Sequence, residues 1–401
     1  MQGKHILLGI SGGIAAYKIP SLIRLLRKEG ADVRCVTTPN ALQFVTETTL
    51  RTLSGAPVYT DVFAAVNRHA TEHISLPEWA DLLIVAPATA NVLGKFAAGI
   101  ADDALTTTFA STAARKPVVI APAMNERMYA NPATQAAMTT LASRNGITLL
   151  DCAEGDLACG ITGKGRMQEV DILLEAALYA LTPKTLQNRH ILITAGPTRE
   201  KLDPVRFLSN YSTGKMGYAI ARECLLHGAE VTLVSGPVTE TLSPFHNDRL
   251  HRLPVCSAAE MAETTCREWH RADTAILAAA VADFTPEEVA PVKRKKQPGQ
   301  DTVCLPLKQT QDIARTLGEN KQPGQKLIGF ALETDHEEEN AHKKLQAKNL
   351  DWIILNSLRD SGAGFGYDTN KVTLIPRRGD AVSLPLMQKK EVAQAIVSRI
   401  L

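Results

Sequence analysis

Residues 4–38 read KHILLGISGG, then an amphipathic stretch ending LLRKEG, then ADVRCVTT; residues 189–236 follow the same plan as RHILITAGPT, an insert, GYAIARECLLHG and AEVTLVSG. Each begins with a short apolar strand and a glycine-containing turn. A helix follows, closed by Gly30 in the first case and Gly228 in the second, and then a second strand. This βαβ opening, written twice, predicts an α/β protein of two domains, each on a mainly parallel sheet. The duplication is architectural, because the identity between the halves is too low for a recent repeat.

The bulk numbers agree. A chain of 401 residues exceeds what one hydrophobic core serves. With 45% hydrophobic and 21% charged residues it has the composition of a globular protein, not a disordered one. A net charge of +2 gives no electrostatic reason to expect nucleic acid or an anionic membrane. The longest apolar runs, such as TAILAAAVA (274–282), are too short to span a bilayer. The N-terminal apolar stretch runs straight into glycines and is not a signal peptide, so a cytoplasmic protein is expected. Seven cysteines, an odd count with no CxxC pair, argue against a disulfide framework and a structural zinc site. Most are expected to be buried small hydrophobes.

Further strands are expected at 80–89, 116–124, 272–282, 326–334 and 350–357, nearly continuous apolar runs that suit strands covered on both faces. The polar segment 182–189 reads as a linker between domains 1–181 and 190–401. Residues 284–310, rich in Pro, Lys and Gln, read as a mobile loop or flap.

The turn Ser11-Gly12-Gly13 follows a strand and opens a helix, where backbone N–H groups favour a phosphate. Alone it is equally a plain tight turn. PATANV (87–92) and PAMNERMY (122–129) each follow a buried strand, at the carboxyl ends where open α/β sheets bind ligands. GDLACGITGKGRM (155–167) places a cysteine between glycine-rich stretches. Singly, His73 reads as a structural histidine, Asn125 as a turn residue and Cys159 as packing.

Together, in this order, these motifs resemble the flavin-dependent cysteine decarboxylases. The resemblance implies FMN as cofactor, with contacts from Ser11, Gly12, Gly13, Thr89 and Asn91. It implies that His73 is the catalytic histidine, that Asn125 holds the substrate carboxylate, and that Cys159 is the active cysteine of a flap over the substrate. The chemistry gives each a reason. Loss of CO2 from a terminal cysteine needs an electron sink, which flavin supplies by oxidising the thiol side chain to a thioaldehyde. A histidine can act as base near neutral pH. An asparagine binds a carboxylate without pinning it by full charge. A thiol can return a proton to the enethiolate.

The segment ITAGPTREKLDPVRFLSNYSTGKMG (193–217) superficially suggests a P-loop, but no glycine stands five residues before Gly214, and Met216 occupies the Ser/Thr position. It resembles instead phosphopantothenoylcysteine synthetase, in the bacterial form fused to the decarboxylase. The match continues in AAAVADF (278–284), KRKK (293–296), GFALET (329–334) and KLQAKNLDWIILN (344–356). The fold implied is two Rossmann-like three-layer domains, the first of the flavoprotein type and the second of the synthetase type. The resemblance implies attack of a carboxylate on the α-phosphate of CTP with Mg2+, and displacement of the nucleotide by the cysteine amine. Asn210 matches the residue that binds the acyl intermediate, Arg206 lies close by, and Lys293 matches the lysine of the amide-forming step. Ala279, Asp283 and Phe330 match nucleotide-pocket positions. Lys344 and Lys348, i,i+4 on an expected helix, match triphosphate contacts. The metal ligands are not assigned. Without the resemblance, KRKK reads as a solvated surface run, Lys344 and Lys348 as a solvent-facing helix surface, and Asn210 as a turn residue.

Both expectations describe an enzyme of coenzyme A biosynthesis, a ligase and carboxy-lyase in one chain, acting on 4′-phosphopantothenate, cysteine and CTP. A peptide-directed flavin decarboxylase or a flavin prenyltransferase-like protein would leave residues 190–401 unexplained. A regulatory flavin-binding protein that has lost activity typically lacks the histidine, asparagine or cysteine retained here. The resemblance also implies a homo-oligomer, trimeric through the first domain and dimeric through the second, hence a dodecamer.

Overall fold

The structure is a computed structural model. It describes residues 1–63, 71–112, 115–156, 162–295, 302–333, 335–357, 362, 364 and 366–401. The chain divides into two units, Met1–Thr182 and Pro183–Leu401.

The first unit runs β1 (His5–Ile10), α1 (Ile19–Lys28), β2 (Asp32–Thr37), α2 (Glu47–Ser54), β3 (Val58–Tyr59), α3 (Glu72–Trp79), β4 (Leu82–Ala88), α4 (Ala90–Ala98), α5 (Ala104–Thr112), β5 (Val118–Pro122), α6 (Glu126–Tyr129), α7 (Pro132–Ala142), β6 (Ile147–Leu149), β7 (Ala153–Asp156), β8 (Thr162–Arg166) and α8 (Val170–Leu181). Strands β1 to β6 form one sheet in the order β3-β2-β1-β4-β5-β6, every pair parallel. Successive residues of β1 are fully buried, because the sheet is covered on both faces. On one face Leu7, Leu83 and Val85 pack with Phe96 and Phe109, whose rings stack at 3.7 Å.

The second unit runs β9 (His190–Ala195), β10 (Arg199–Lys201), β11 (Phe207–Ser209), α9 (Lys215–Leu226), β12 (Glu230–Ser235), β13 (Leu250–Pro254), α10 (Ala258–Trp269), β14 (Thr274–Leu277), β15 (Phe284–Pro286), β16 (Leu307–Gln309), α11 (Ile313–Glu319), β17 (Lys326–Glu333), α12 (Glu337–Ala347), β18 (Trp352–Ser357), β19 (Thr369–Asn370), β20 (Val372–Pro376), β21 (Val382–Ser383), β22 (Met387–Gln388) and α13 (Lys389–Ile400). Its main sheet has the order β13-β12-β9-β14-β17-β18-β20-β21. It is parallel through β18, with β20 and β21 added antiparallel at one edge. The first six strands repeat the order of the first unit, so the twice-written opening is the start of one topology used twice.

A shared local device fixes the strand entries. Asp81 Oδ2 accepts the His5 N–H at 2.9 Å, Asp273 Oδ2 that of His190 at 2.8 Å, and Asp351 Oδ2 that of Leu327 at 2.7 Å. Each aspartate satisfies a backbone donor at the open end of a neighbouring parallel strand. Gly30 (φ +87°) and Gly228 (φ +89°) close α1 and α9 in the left-handed region, as expected from their positions.

The structure departs from the sequence reading in three places. The segment 183–189 packs onto the second unit and does not hang between domains: Leu186 is buried in that unit's core, and its N–H donates to the His227 carbonyl at 3.1 Å. The expected strand 272–282 ends at Leu277. Beyond it Ala278, Ala279, Ala280 and Ala282 donate their N–H groups to Thr194, Gly196 and Thr198, which turns the chain into a loop. Within 284–310, β15 and β16 pair antiparallel and close the two ends of the expected flap; 287–295 and 302–306 between them carry no helix or strand, and 296–301 lie outside the described residues.

Candidate functional site

In the first unit a cavity of about 990 Å³ opens at the carboxyl ends of β1, β2, β4 and β5. This is where the strand order reverses between β1 and β4, leaving a crevice that no crossover covers. Ser11, Gly12, Gly13, Thr89, Asn91 and Asn125 all line it. Ser11 joins two strand ends: its hydroxyl donates to the Pro87 carbonyl at 2.7 Å and accepts the Thr89 N–H at 3.0 Å. Thr89 caps α4, and Asn125 caps α6 through the Arg127 N–H at 2.9 Å. Gly12 is packed against Asn40; a Cβ there would lie 2.6 Å from Asn40 Cβ. The hydroxyl of Thr38, also in the lining, is buried and has no partner among the described residues. A backbone cradle, the N-terminus of α4 and an orphaned buried hydroxyl fit a polar, phosphorylated group.

Lys18, Lys95 and Arg166 supply positive charge around the cavity. Lys18 Nζ lies 2.9 Å from Glu169 Oε1, and Lys95 Nζ 2.7 Å from Asp102 Oδ1. Met124 donates its N–H to the Gly165 carbonyl at 2.9 Å, tying the PAMN segment to β8. His73 does not line this cavity. It sits at the start of α3, and its carbonyl accepts the Ser111 hydroxyl at 2.6 Å. Cys159 lies outside the described residues. Among the described cysteines Cys35, Cys152 and Cys224 are buried, whereas Cys304 is exposed. Burial pushes the Cys35 and Cys152 thiols up to about 12, so neither is an acid of use near neutral pH.

The second unit has its own cavity, about 600 Å³, at the carboxyl ends of β9, β14, β17 and β18. Asn210, Ala279, Asp283, Phe330, Lys344 and Lys348 all line it, brought from the turn after β11, the loop after β14, β17 and the end of α12. Asn210 donates its Nδ2 to the carbonyls of Ala280 (2.9 Å) and Val281 (3.2 Å), locking it to the loop where β14 stops. Lys344 pairs with Glu333 at 2.6 Å and Lys348 with Asp312 at 3.0 Å. Lys348 falls just beyond α12, yet both lysines reach the same space.

Arg206 and Lys293 do not line this cavity. Arg206 is turned to Asp203, its Nη2 2.6 Å from Asp203 Oδ2, and Lys293 is exposed on an irregular segment. The lining also holds Ser212 and Asn356, which lie inside the quoted motifs without a role assigned to them, and Asp312, Asn370 and Lys389, which lie in none of them. Ser212 opens the STGK turn, which fails as a P-loop. Lys389 is 8% exposed and donates its ammonium to the carbonyls of Tyr367 (2.6 Å) and Gly364 (3.2 Å). Burial first, then the charge of Lys215, lowers its affinity for the proton. Among the described residues no group of three or more His, Cys, Asp or Glu is placed to hold a metal.

The comparisons with known proteins cover both units. The family model "Flavoprotein" matches residues 1–181, and the model "DNA/pantothenate metabolism flavoprotein C-terminal domain" matches residues 186–401. The coenzyme A biosynthesis bifunctional protein CoaBC of Bacillus subtilis (strain 168) is 46% identical over 407 residues, covering 100% of this chain and 97% of that protein. Its namesake in Escherichia coli (strain K12) is 42% identical over 402 residues, covering 100% and 97%. A cysteine/cysteine sulfinic acid decarboxylase of an unknown prokaryotic organism is 47% identical over 362 residues, 89% of this chain and 99% of its own. A crystal structure of the C-terminal domain of CoaBC is 43% identical, covers 54% of this chain and 95% of that one, and superposes with a TM-score of 0.45. Matched from end to end by relatives of one kind, with a flavoprotein domain followed by a pantothenate-metabolism domain, this chain belongs to the family of bifunctional coenzyme A biosynthesis proteins.

Proposed function

We propose that this chain performs two consecutive steps of coenzyme A biosynthesis: CTP-dependent ligation of 4′-phosphopantothenate to cysteine, then FMN-dependent decarboxylation of the product to 4′-phosphopantetheine. The observation that carries the reading is the pair of cavities, one at the switch point of each sheet, each lined by motif residues of one activity.

In the ligase unit, a carboxylate oxygen attacks the α-phosphate of CTP and pyrophosphate leaves. The amine of cysteine then attacks the acyl carbon, and CMP leaves as the amide forms. Lys344 and Lys348 offer cationic contacts to the triphosphate. Asn210 presents an amide, already fixed by two carbonyls, to the acyl intermediate. Lys293 serves the amide-forming step, and Arg206 binds the acidic substrate. When bound, Mg2+ would neutralise charge on the triphosphate, and the carboxylates of Asp283 and Asp312 in the lining would hold it there.

In the decarboxylase unit, Ser11, Gly12, Gly13, Thr89 and Asn91 would hold FMN in the phosphate cradle. FMN, when bound, would supply oxidation of the cysteinyl side chain to a thioaldehyde, the electron sink that loss of CO2 requires, and would return the same two electrons after protonation to give the product thiol. Asn125 orients the carboxylate, His73 acts as base, and Cys159 returns the proton to the enethiolate. The substrates are small molecules, the protein works in the cytoplasm, and it assembles as a homo-oligomer. Among the described residues no helix is long and apolar enough to cross a membrane.

The test is mass spectrometry of products from 4′-phosphopantothenate, cysteine, CTP and Mg2+. Phosphopantetheine, CMP and pyrophosphate are expected. Phosphopantothenoylcysteine as end product would remove the decarboxylase assignment, and no turnover by the folded flavoprotein would remove both.

A further inference from the structure

Asp203 is 2% exposed, and its carboxylate collects five N–H donors. Two belong to its own turn: Val205 at 2.8 Å and Arg206 at 2.9 Å, both on Oδ1. The other three converge on Oδ2: Arg206 Nε at 3.0 Å, Arg206 Nη2 at 2.6 Å and the backbone N–H of Arg294 at 3.2 Å. A turn aspartate needs only the first two. Of the remaining three, two hold the Arg206 guanidinium within the same turn, and the Arg294 N–H ties that turn to a segment far along the chain.

That segment carries the basic run, and little else holds it. From Glu287 to Lys295 the chain has no helix or strand, and Lys293 is exposed. Among the described residues, the hydrogen bonds of 290–295 go to the 202–206 turn. Ala290 donates its N–H to the Leu202 carbonyl at 3.1 Å, Arg294 donates its N–H to Asp203, and the Arg294 carbonyl accepts Arg206 Nη2 at 2.7 Å. The main chain on both sides of Arg294, directly after Lys293, is therefore clamped by one ion pair.

We propose that Asp203 is a positioning residue for the amide-forming step: through Arg206 and the Arg294 main chain it fixes the backbone from which Lys293 reaches the reacting acyl group. The inference rests on the reading of Lys293 given above. A lysine on a flexible stem is placed only as well as its backbone is held. A misplacement of about 1 Å can cost on the order of a hundredfold in rate. Formation of the acyl-cytidylate does not draw on Lys293; Asp203 reaches it only through substrate binding by Arg206, a KM effect that saturating 4′-phosphopantothenate removes.

The test compares Asp203→Asn, Asp203→Ser and Lys293→Gln in rapid-quench reactions with saturating 4′-phosphopantothenate, CTP and Mg2+, with and without cysteine. Acyl-cytidylate and amide are counted by mass spectrometry. Asp203→Asn turns an amide towards the Arg206 and Arg294 donors. It is expected to form acyl-cytidylate within about threefold of the parent rate and to accumulate it, with amide formation slowed about tenfold to a hundredfold. Asp203→Ser keeps an oxygen for the local turn but drops the one that holds Arg206 and Arg294. It should behave the same way, and it stands in should Asp203→Asn fail to fold. If Lys293→Gln accumulates the intermediate and neither folded Asp203 variant does, the positioning role is overturned while the reading of Lys293 stands. Equal slowing of both steps in the Asp203 variants overturns it too. If Lys293→Gln itself passes the intermediate on at the parent rate, the reading of Lys293 fails and takes the inference with it.

Discussion

Lys348 Nζ lies 3.0 Å from Asp312 Oδ2, and the two side chains reach the second cavity from different elements. Asp312 also caps α11, accepting the Arg315 N–H at 3.1 Å. Burial alone would raise its carboxyl; the Arg315 N–H and Lys348 outweigh that and hold it below the usual carboxylate value of 3.8. A depressed carboxylate stabilises the fold above its unfolded value and loses that contribution as pH falls through the folded value. Lys348→Gln removes one of the lowering partners, so the variant should lose stability at a higher pH than the parent on acid titration. It should also raise KM for CTP about tenfold, the loss of one charge-assisted contact of about 1.4 kcal/mol. Melting on acid titration and steady-state kinetics check the two halves separately.

Ser11→Ala should weaken flavin binding. The hydroxyl bridges the Pro87 carbonyl and the Thr89 N–H, and its loss leaves that half-buried donor without its partner, at a cost of about 1 kcal/mol. Titration of the flavin-free protein with FMN, followed by flavin fluorescence, should show weaker binding. Parental affinity would mean that the bridge does not shape the cradle.

Asn210→Asp should abolish ligation without unfolding the second unit. The amide donates to two carbonyls; a carboxylate would face them with like charge and, on the proposed function, would repel the phosphate-bearing intermediate. Pyrophosphate release should fall at least about a hundredfold, with a melting temperature close to the parent's.

Lys184, at the start of the second unit, gives a further pH prediction. Burial first, and then the charge of Arg249, pushes its ammonium down to about 8 from the ordinary 10.5. Between those values the unfolded chain binds the proton more readily, so stability rises with pH across that window; below about 8 both states are protonated and the full cost of the charge is present. Lys184→Met should therefore be more stable than the parent near neutral pH, with the advantage shrinking between about pH 8 and 10.5. Denaturant melts on either side of that window decide it, and an advantage that grows with pH would contradict the sign.

Much of the architecture was legible because it is written in contiguous residues. The HILLGI and HILITA strands, the glycines that end α1 and α9, and the turn at Ser11 each depend on neighbours within a few positions. The apolar run after Thr274 misled because composition does not say where pairing stops: β14 ends where the loop N–H groups find Thr194, Gly196 and Thr198. The segment 182–189 reads as polar linker, yet the side chain of Leu186 seats it on the core.

By itself the sequence determined the class of fold, its doubling and the motifs of two activities, because helix and strand periods and glycine stops are local properties. Only the tertiary structure decided which motif residues meet. It gathered Asn210, Asp283, Phe330 and Lys348 around one space and added Asn370 and Lys389, which no local pattern marks. It left His73, Arg206 and Lys293 outside the two cavities. It also joined Asp203 to Arg294 across 91 positions. Such contacts arise from how a parallel sheet brings its strand ends together, and chain separation carries no record of that.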